Sequence, residues 1–149
     1  MNTNDARLAR LFPAADGGSV EDDTPTATGT TPVNKFDLIL QAEAGNAVGS
    51  GGGQYTLNLV AYDVTAGKVE PALLPAAPTF PSTEQFQAGA PNNWNPAGGS
   101  SNDFVKLEKY DIDNIPATLK GHIFYYVASL VSANFQIVST KQSNLFIVV

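Results

Sequence analysis

The chain has 149 residues, 43% of them hydrophobic and 15% charged, and a net charge of −6 at pH 7. This length fits a single domain with a sizeable core, and the acidic balance excludes nucleic acid and anionic membrane surfaces as electrostatic partners. The chain has no cysteine, which excludes disulfides, thiolate nucleophiles and Cys-ligated zinc.

The N-terminal segment predicts a short helix that docks on a partner. Asp5 can cap such a helix, and Leu8, Leu11 and Phe12 follow at spacings that share one helical face before Pro13 ends the pattern. A helix this short is stable only against another surface. We therefore expect these three apolar residues to bind a protein partner or another copy of the chain. A leader without order is the alternative.

Residues 17–32 have the composition of a flexible linker. Their sequence, GGSVEDDTPTATGTTP, contains one aliphatic residue, Val20, and a small acidic cluster. Such a segment buries too little apolar surface to offset the entropy lost on ordering. We therefore expect an N-terminal arm at residues 1–32 and a folded domain at residues 33–149.

Targeting signals are not evident in the sequence. The first residues lack the apolar core of a secretory signal peptide, and no apolar run reaches the roughly 18 residues that span a bilayer. We therefore expect no membrane insertion, and display on a particle or cell surface would require another route.

Two segments after the linker alternate apolar and polar residues as strands do. In KFDLILQAEAG, Phe36, Leu38 and Leu40 share one side, and GQYTLNLVAYDV repeats the pattern with Leu57 and Leu59. The connection GNAVGSGGG is too long for a two-residue hairpin turn and lacks the Gly-Lys-Ser/Thr ending of a phosphate loop. These segments predict two strands, each with one buried face.

Residues 66–102 predict a long loop rich in Pro, Gly and Asn. The loop contains six of the ten prolines and the only tryptophan. An indole beside side-chain amides offers a stacking face with hydrogen-bond donors and acceptors, which are the groups that hold a sugar ring. The alternative is that the tryptophan packs over one end of the core. The candidate carbohydrate-binding residues are Trp94, Asn92, Asn93, Asn95 and Tyr62.

The segment YDIDN contains the candidate metal-binding carboxylates, Asp111 and Asp113. A calcium loop needs a glycine after its acidic positions and a distal Glu, but Ile115 and Pro116 stand here instead. The pattern therefore favours a solvated strand end over a metal site, and it gives little support to an acid and base pair. We expect neither a metal nor a cofactor.

His122, the only histidine, begins a predicted strand on the same side as Phe124 and Tyr126. No Gly-x-Ser-x-Gly sequence or other serine-nucleophile setting accompanies it. We therefore expect a structural or surface histidine. An enzymatic interpretation would require His122 to meet Asp111 and Asp113 in one pocket.

The C-terminal segment predicts three consecutive strands at residues 123–131, 135–140 and 144–149, joined by hairpin-length turns. With the earlier elements they predict an antiparallel β-sandwich. GHIFYYVASLVSANFQIVSTKQSNLFIVV resembles the closing hairpin of immunoglobulin-like and fibronectin type III modules, in which a Tyr-rich strand precedes a Ser/Asn-led last strand. The cysteine pair of antibody domains is absent, and Trp94 falls in a loop.

The resemblance implies an adhesive, spacing or partner-binding module. We therefore expect a non-enzymatic structural protein that assembles with itself, or attaches to a larger particle or surface, through its N-terminal arm. Carbohydrate binding by the Trp94 loop is the alternative.

Overall fold

Alternating apolar residues form strands along most of the chain, as the sequence predicts. The computed structural model describes residues 5–25, 35–51, 53–86, 95–96, 103–133 and 137–149. The strands in these ranges are β1 (Ala6–Ala14), β2 (Phe36–Gly45), β3 (Gly53–Asp63), β4 (Lys68–Val69), β5 (Ser82–Phe86), β6 (Asn95–Pro96), β7 (Asp103–Ile112), β8 (Ile123–Ser132), β9 (Ile137–Gln142) and β10 (Phe146–Ile147). A short helix, α1, covers Asn46–Gly51, and 3₁₀ turns cover Pro71–Leu73 and Ala117–Leu119.

The strands form two antiparallel sheets. The four-stranded sheet has the order β1-β2-β7-β6. In the six-stranded sheet β3 and β8 pair at the centre, β4 and β5 both pair with β3, and β9 and β10 both pair with β8. The prediction of an all-β antiparallel sandwich is confirmed.

The core lies between the inner faces of the two sheets. Phe36 and Leu38 of β2 face Phe124 and Tyr126 of β8, and all four side chains are fully buried. Phe146 of β10 stacks on Tyr126, with ring centroids 5.4 Å apart. These aromatic contacts and the surrounding leucines hold the two sheets together mainly by removing apolar surface from water.

The N-terminal segment forms strand β1, so the prediction of an N-terminal helix is wrong. Strand β1 pairs with β2 so that Leu8 lies opposite Ala42 and Leu11 lies opposite Leu40, with a register shift between Leu8 and Arg10. The shift is a β-bulge, in which one strand carries an extra residue. Because of the bulge, Leu8 and Leu11 both face the core although they are three residues apart, a spacing that otherwise indicates a helix.

The apolar residues of β1 are buried within their own sandwich. Leu8 and Leu11 are 5% and 4% exposed in the main core. Phe12 is 3% exposed and packs with Ala14 and Ile39 in a second cluster on the other face of the same sheet. The expectation that these side chains are free to dock on a partner is therefore corrected.

The first part of the predicted linker is packed against the sandwich. The Gly17 amide donates to Asp37 Oδ2 at 2.7 Å. Farther along, the carbonyl of Asp23 accepts from the amide of Ile147 at 2.9 Å, so this segment runs beside β10. Residues 26–34 lie outside the described residues. The part of the chain from 5 to 25 thus contributes a strand and an edge cover, where the sequence predicted a flexible arm.

The predicted long loop contains regular structure in its described part. Strands β4 and β5 both pair with β3, and a 3₁₀ turn at Pro71–Leu73 lies between them. The buried Tyr126 hydroxyl donates to the carbonyl of Leu73 at 2.8 Å and fixes that turn on the core. The prediction of a structureless segment is therefore wrong for residues 68–73 and 82–86.

Candidate functional site

Most of the predicted carbohydrate-binding group lies outside the described residues. This is true of Asn92, Asn93 and Trp94, whereas the backbone of Asn95 belongs to β6 and pairs with Val105. Tyr62 lies on the outer face of the six-stranded sheet. Its ring packs beside that of Tyr125, with centroids 5.3 Å apart.

The outer face of the six-stranded sheet carries no charged side chain among the described residues. Alternation along β3 and β8 assigns its residues, since their inward neighbours are buried. The face is partly to fully exposed and is composed of Val, Ile, Tyr, Ser, Thr, Asn and Gln. Its described members include Gln54, Thr56, Asn58, Val60, Tyr62, Val69, Thr83, Ile123, Tyr125, Val127, Ser129, Val131, Thr140, Gln142 and Ile147.

Apolar side chains are concentrated at one end of this outer face. Val60 lies directly opposite Val127, and Tyr62 lies between Tyr125 and Val69. Val60 and Val69 are 42% and 59% exposed, and they border a groove of about 200 Å³ beside the 3₁₀ turn. The outer face of the four-stranded sheet differs, because it carries acidic and basic residues along β2 and β7.

His122 is held by a buried carboxylate at one end of the core. Its Nδ1 lies 2.8 Å from Oδ2 of Asp63, whose side chain is 0% exposed, and the amide of Ala66 donates to the other oxygen at 2.9 Å. Burial alone would raise the pKa of Asp63, but the hydrogen bonds from His122 and Ala66 outweigh it and lower that pKa. The imidazole also stacks on Phe124, with centroids 6.1 Å apart. The pair fixes the turn after β3 against β8.

Asp111 pairs with another carboxyl and lies in a different sheet from His122. In the register of β2 and β7 it stands directly opposite Asp37. Desolvation of Asp111, followed by the effect of the neighbouring Asp37 carboxyl, raises the pKa of Asp111. Asp37 Oδ2 also accepts from the ammonium of Lys109 at 2.7 Å. The structure therefore gives Asp111 and His122 separate partners and does not bring them together.

The described residues contain neither a metal-binding cluster nor a membrane-spanning helix. Within the described residues, no group of three or more His, Asp or Glu side chains is arranged to hold a metal ion. No helix of the described chain is long and apolar enough to cross a bilayer.

A buried group of polar side chains lies between β5 of one sheet and β7 of the other. The side chains of Lys106 and Glu84 are 7% and 9% exposed. The Lys106 ammonium contacts the carboxylate of Glu84 and, at 3.0 Å, that of Glu108. The Tyr110 hydroxyl lines the same cavity and has no hydrogen-bond partner among the described residues. Burial, and then the charges of both glutamates, raise the pKa of Tyr110 far above its usual range, so this hydroxyl stays protonated.

Sequence reasoning missed this group, although one signal was present. In FVKLEKYDI, strict alternation places Lys106 and Glu108 on the same face as Phe104, Tyr110 and Ile112. Charged residues on an otherwise apolar strand face are rarely buried without partners. The partner could not be found in the same way, because Glu84 lies in a segment without apolar alternation.

Comparisons with known proteins leave the family open. No family model matches the chain, and no curated protein matches it. Among solved structures, the chain is similar to Bifidobacterium dentium beta-glucuronidase complexed with coumarin-3-O-glucuronide, with 9% sequence identity and a TM-score of 0.36. The similarity covers 97% of this chain and 18% of that chain. A likeness at this level assigns neither an activity nor a ligand.

Proposed function

We propose that this protein is a non-enzymatic structural module that associates with a second copy of itself through the outer face of the six-stranded sheet. The observation that carries the proposal is the absence of charge from that face among the described residues, in a chain with 22 Asp, Glu, Lys and Arg residues (8 + 14). Charged side chains are depleted at the centres of interfaces, where aromatic residues are enriched.

The charge of the chain explains why a second copy suits this face. Two chains that each carry a charge of −6 repel one another at most surfaces. On the uncharged face, like charges do not oppose each other, and the same patch can serve both subunits about a two-fold axis. Val60 and Tyr62 supply exposed apolar surface, and the groove beside Val69 can receive side chains from the partner.

Attachment through the N-terminal residues is a separate proposal, and it requires β1 to leave its sheet. Leu8, Leu11 and Phe12 could reach a protein partner only if β1 left its own sheet, because they are buried there. Such an exchange would give β1 to an equivalent site on a second copy. Removal of residues 1–32 should then abolish association, but it would also remove a strand from the core.

We also infer that the sandwich is immunoglobulin-like. In immunoglobulin constant-type domains one sheet has the order A-B-E-D and the other C-F-G. The orders β1-β2-β7-β6 and β3-β8-β9 correspond to these when the strands are read in chain order. This correspondence supports the superfamily, whose modules commonly mediate contact between proteins.

Light-scattering mass over a concentration series tests the association. We expect the wild-type chain to self-associate and Val60→Lys to weaken association at least ~10-fold, because an unpaired ammonium would be buried at the interface. Leu107→Lys is the matched control, since Leu107 is a 65% exposed aliphatic residue on β7 of the other sheet. A wild-type chain that is monomeric at all concentrations, or equal effects of the two variants, would contradict the proposal.

Carbohydrate binding is the second candidate, and the Tyr62–Tyr125 pair favours it. Adjacent aromatic rings on an uncharged face present a stacking surface with two hydroxyl groups. Calorimetric titration with a panel of oligosaccharides should show binding that Tyr125→Ala removes. Trp94→Ala distinguishes the two possible locations, because it would abolish binding only if the predicted Trp94 loop holds the sugar.

A further inference from the structure

The group formed by Lys106, Glu84, Glu108 and Tyr110 has the components of a condensation reaction. An amine and a carboxyl are in contact, and a second carboxyl lies 3.0 Å from the amine nitrogen. Ser82 Oγ donates to the remaining oxygen of Glu84 at 3.1 Å, which orients that carboxyl. Each of the two contacting side chains comes from a different sheet, and both are more than nine-tenths buried.

The surroundings of this group are apolar. The cavity encloses about 10 Å³ and is otherwise lined by aliphatic residues of both sheets. A proton transferred from Lys106 to Glu84 leaves an amine and a carboxylic acid, which are the two forms that condense. The cavity volume is close to what one water molecule needs.

We propose that Lys106 and Glu84 condense to an amide, an isopeptide bond that joins β5 to β7 within the folded chain, and that Glu108 moves the protons. The bond would be a self-made modification that depends on the fold for its geometry. It is independent of the association proposed above.

The reaction balances without any further reagent. After proton transfer to Glu84, the lone pair of Lys106 Nζ attacks Cδ of Glu84, and the C–N bond forms. Glu108 takes a proton from the nitrogen and returns it to the departing hydroxyl, so the C–O bond breaks and one water leaves. One positive and one negative charge disappear together, and Glu108 ends as it began.

Tyr110 takes part in the same step as a hydrogen-bond donor. Its hydroxyl stays protonated beside both glutamates and has no acceptor among the described residues. It can therefore donate a hydrogen bond to the oxygen that becomes negative when the amine attacks. The fold also favours the reaction by holding the amine and the carboxyl together, since well-oriented intramolecular reactants reach effective concentrations on the order of 10⁵ M or more.

Mass spectrometry of the denatured full-length chain tests the proposal. We expect the mass calculated from the sequence less one water molecule. Cleavage on the N-terminal side of aspartates separates residues 63–102 from residues 103–110, and these two peptides should remain joined through Glu84 and Lys106. A folded wild-type chain that keeps its full mass after prolonged incubation, with the two peptides separate, would overturn the proposal and leave an ordinary buried ion pair.

Two variants test the roles of Lys106 and Glu108 in bond formation, and a third is the control. Lys106→Arg keeps a buried cation but has no neutral amine at accessible pH, so the full mass is expected. Glu108→Gln keeps the reacting pair and should slow bond formation at least ~100-fold, within the usual range for a lost general acid–base group. Glu70→Gln alters a different ion pair, Lys68–Glu70, in which only Lys68 is exposed, and it should leave the mass deficit unchanged. A mass deficit that survives Lys106→Arg, or a wild-type rate in Glu108→Gln, would refute the respective assignment.

Discussion

The burial of β1 predicts that Leu11 contributes strongly to stability. Its side chain is 4% exposed and lies in the main core opposite Leu40. Leu11→Ala removes three carbons, each worth about 0.8 kcal/mol on transfer from water, and it leaves a cavity whose cost adds to this. We expect the free energy of unfolding to fall by about 3 kcal/mol, inside the range of about 2–5 kcal/mol for buried leucines.

Urea and thermal unfolding, followed by circular dichroism and tryptophan fluorescence, measure this loss. For a chain of this size the change corresponds to a melting temperature lower by about 6–12 °C. Leu107→Ala is the matched control, because Leu107 is 65% exposed on the outer face of β7. Its effect should stay within about 0.5 kcal/mol.

Equal, small effects of the two substitutions would refute the reasoning. They would mean that β1 does not pack in its own sandwich, and that Leu8, Leu11 and Phe12 are available to a partner, as the sequence alone predicts. A large loss in Leu11→Ala alone would instead show that deletion of the N-terminal residues cannot separate docking from folding.

Two further predictions concern carboxyl groups. The folded pKa of Asp63 is lowered, so its contribution to stability is present above the unfolded pKa, about 3.9, and is lost as pH falls through the folded value. Asp63→Asn should therefore lower stability near neutral pH and reduce its decline in acid, as measured by urea titrations at stepped pH. The folded pKa of Asp111 is raised, so its ionised form is disfavoured in the fold. Asp111→Asn should leave stability at pH 7 equal or higher, and a clear loss would contradict the raised pKa of Asp111.

The strands that the sequence predicts well are those whose burial alternates. Phe36, Leu38 and Leu40 face the core as their spacing indicates, and so do Phe124 and Tyr126. His122 also falls on the side that alternation predicts, where it meets Asp63. In these segments every second side chain is apolar and faces the core, so the alternation in the sequence is enough to identify the buried face.

Other elements are set by contacts that alternation does not encode. The bulge in β1 shifts the register by one residue, so the buried residues of this strand have the spacing that otherwise indicates a helix. Strand β5 turns Ser82 and Glu84 inward, so its buried face is polar and its sequence resembles a loop. Glu84 can be recognised as a core residue only when Lys106 is brought beside it from the other sheet.

Edges and faces of the sandwich differ in how open they are to a partner. The backbone of β10 is covered by residues 23–25, through hydrogen bonds from Ile147 to Asp23 and from Val149 to Pro25. At the other side of the sandwich, β6 pairs with Phe104 and Val105 of β7. Beyond that pairing, Lys106 and Glu108 point inward from β7, a feature that discourages edge-to-edge pairing of strands.

The corner where the two sheets meet is also closed, because the amide of Leu8 in β1 donates to Ser139 Oγ in β9 at 2.9 Å. With these edges occupied or guarded, association by addition of a strand would have to displace existing hydrogen bonds. Contact through the uncharged outer face of the six-stranded sheet displaces no backbone hydrogen bond. The side chains of that face project from β3 and β8, which are already paired with each other. Contact between faces is therefore the less costly route by which two copies can meet.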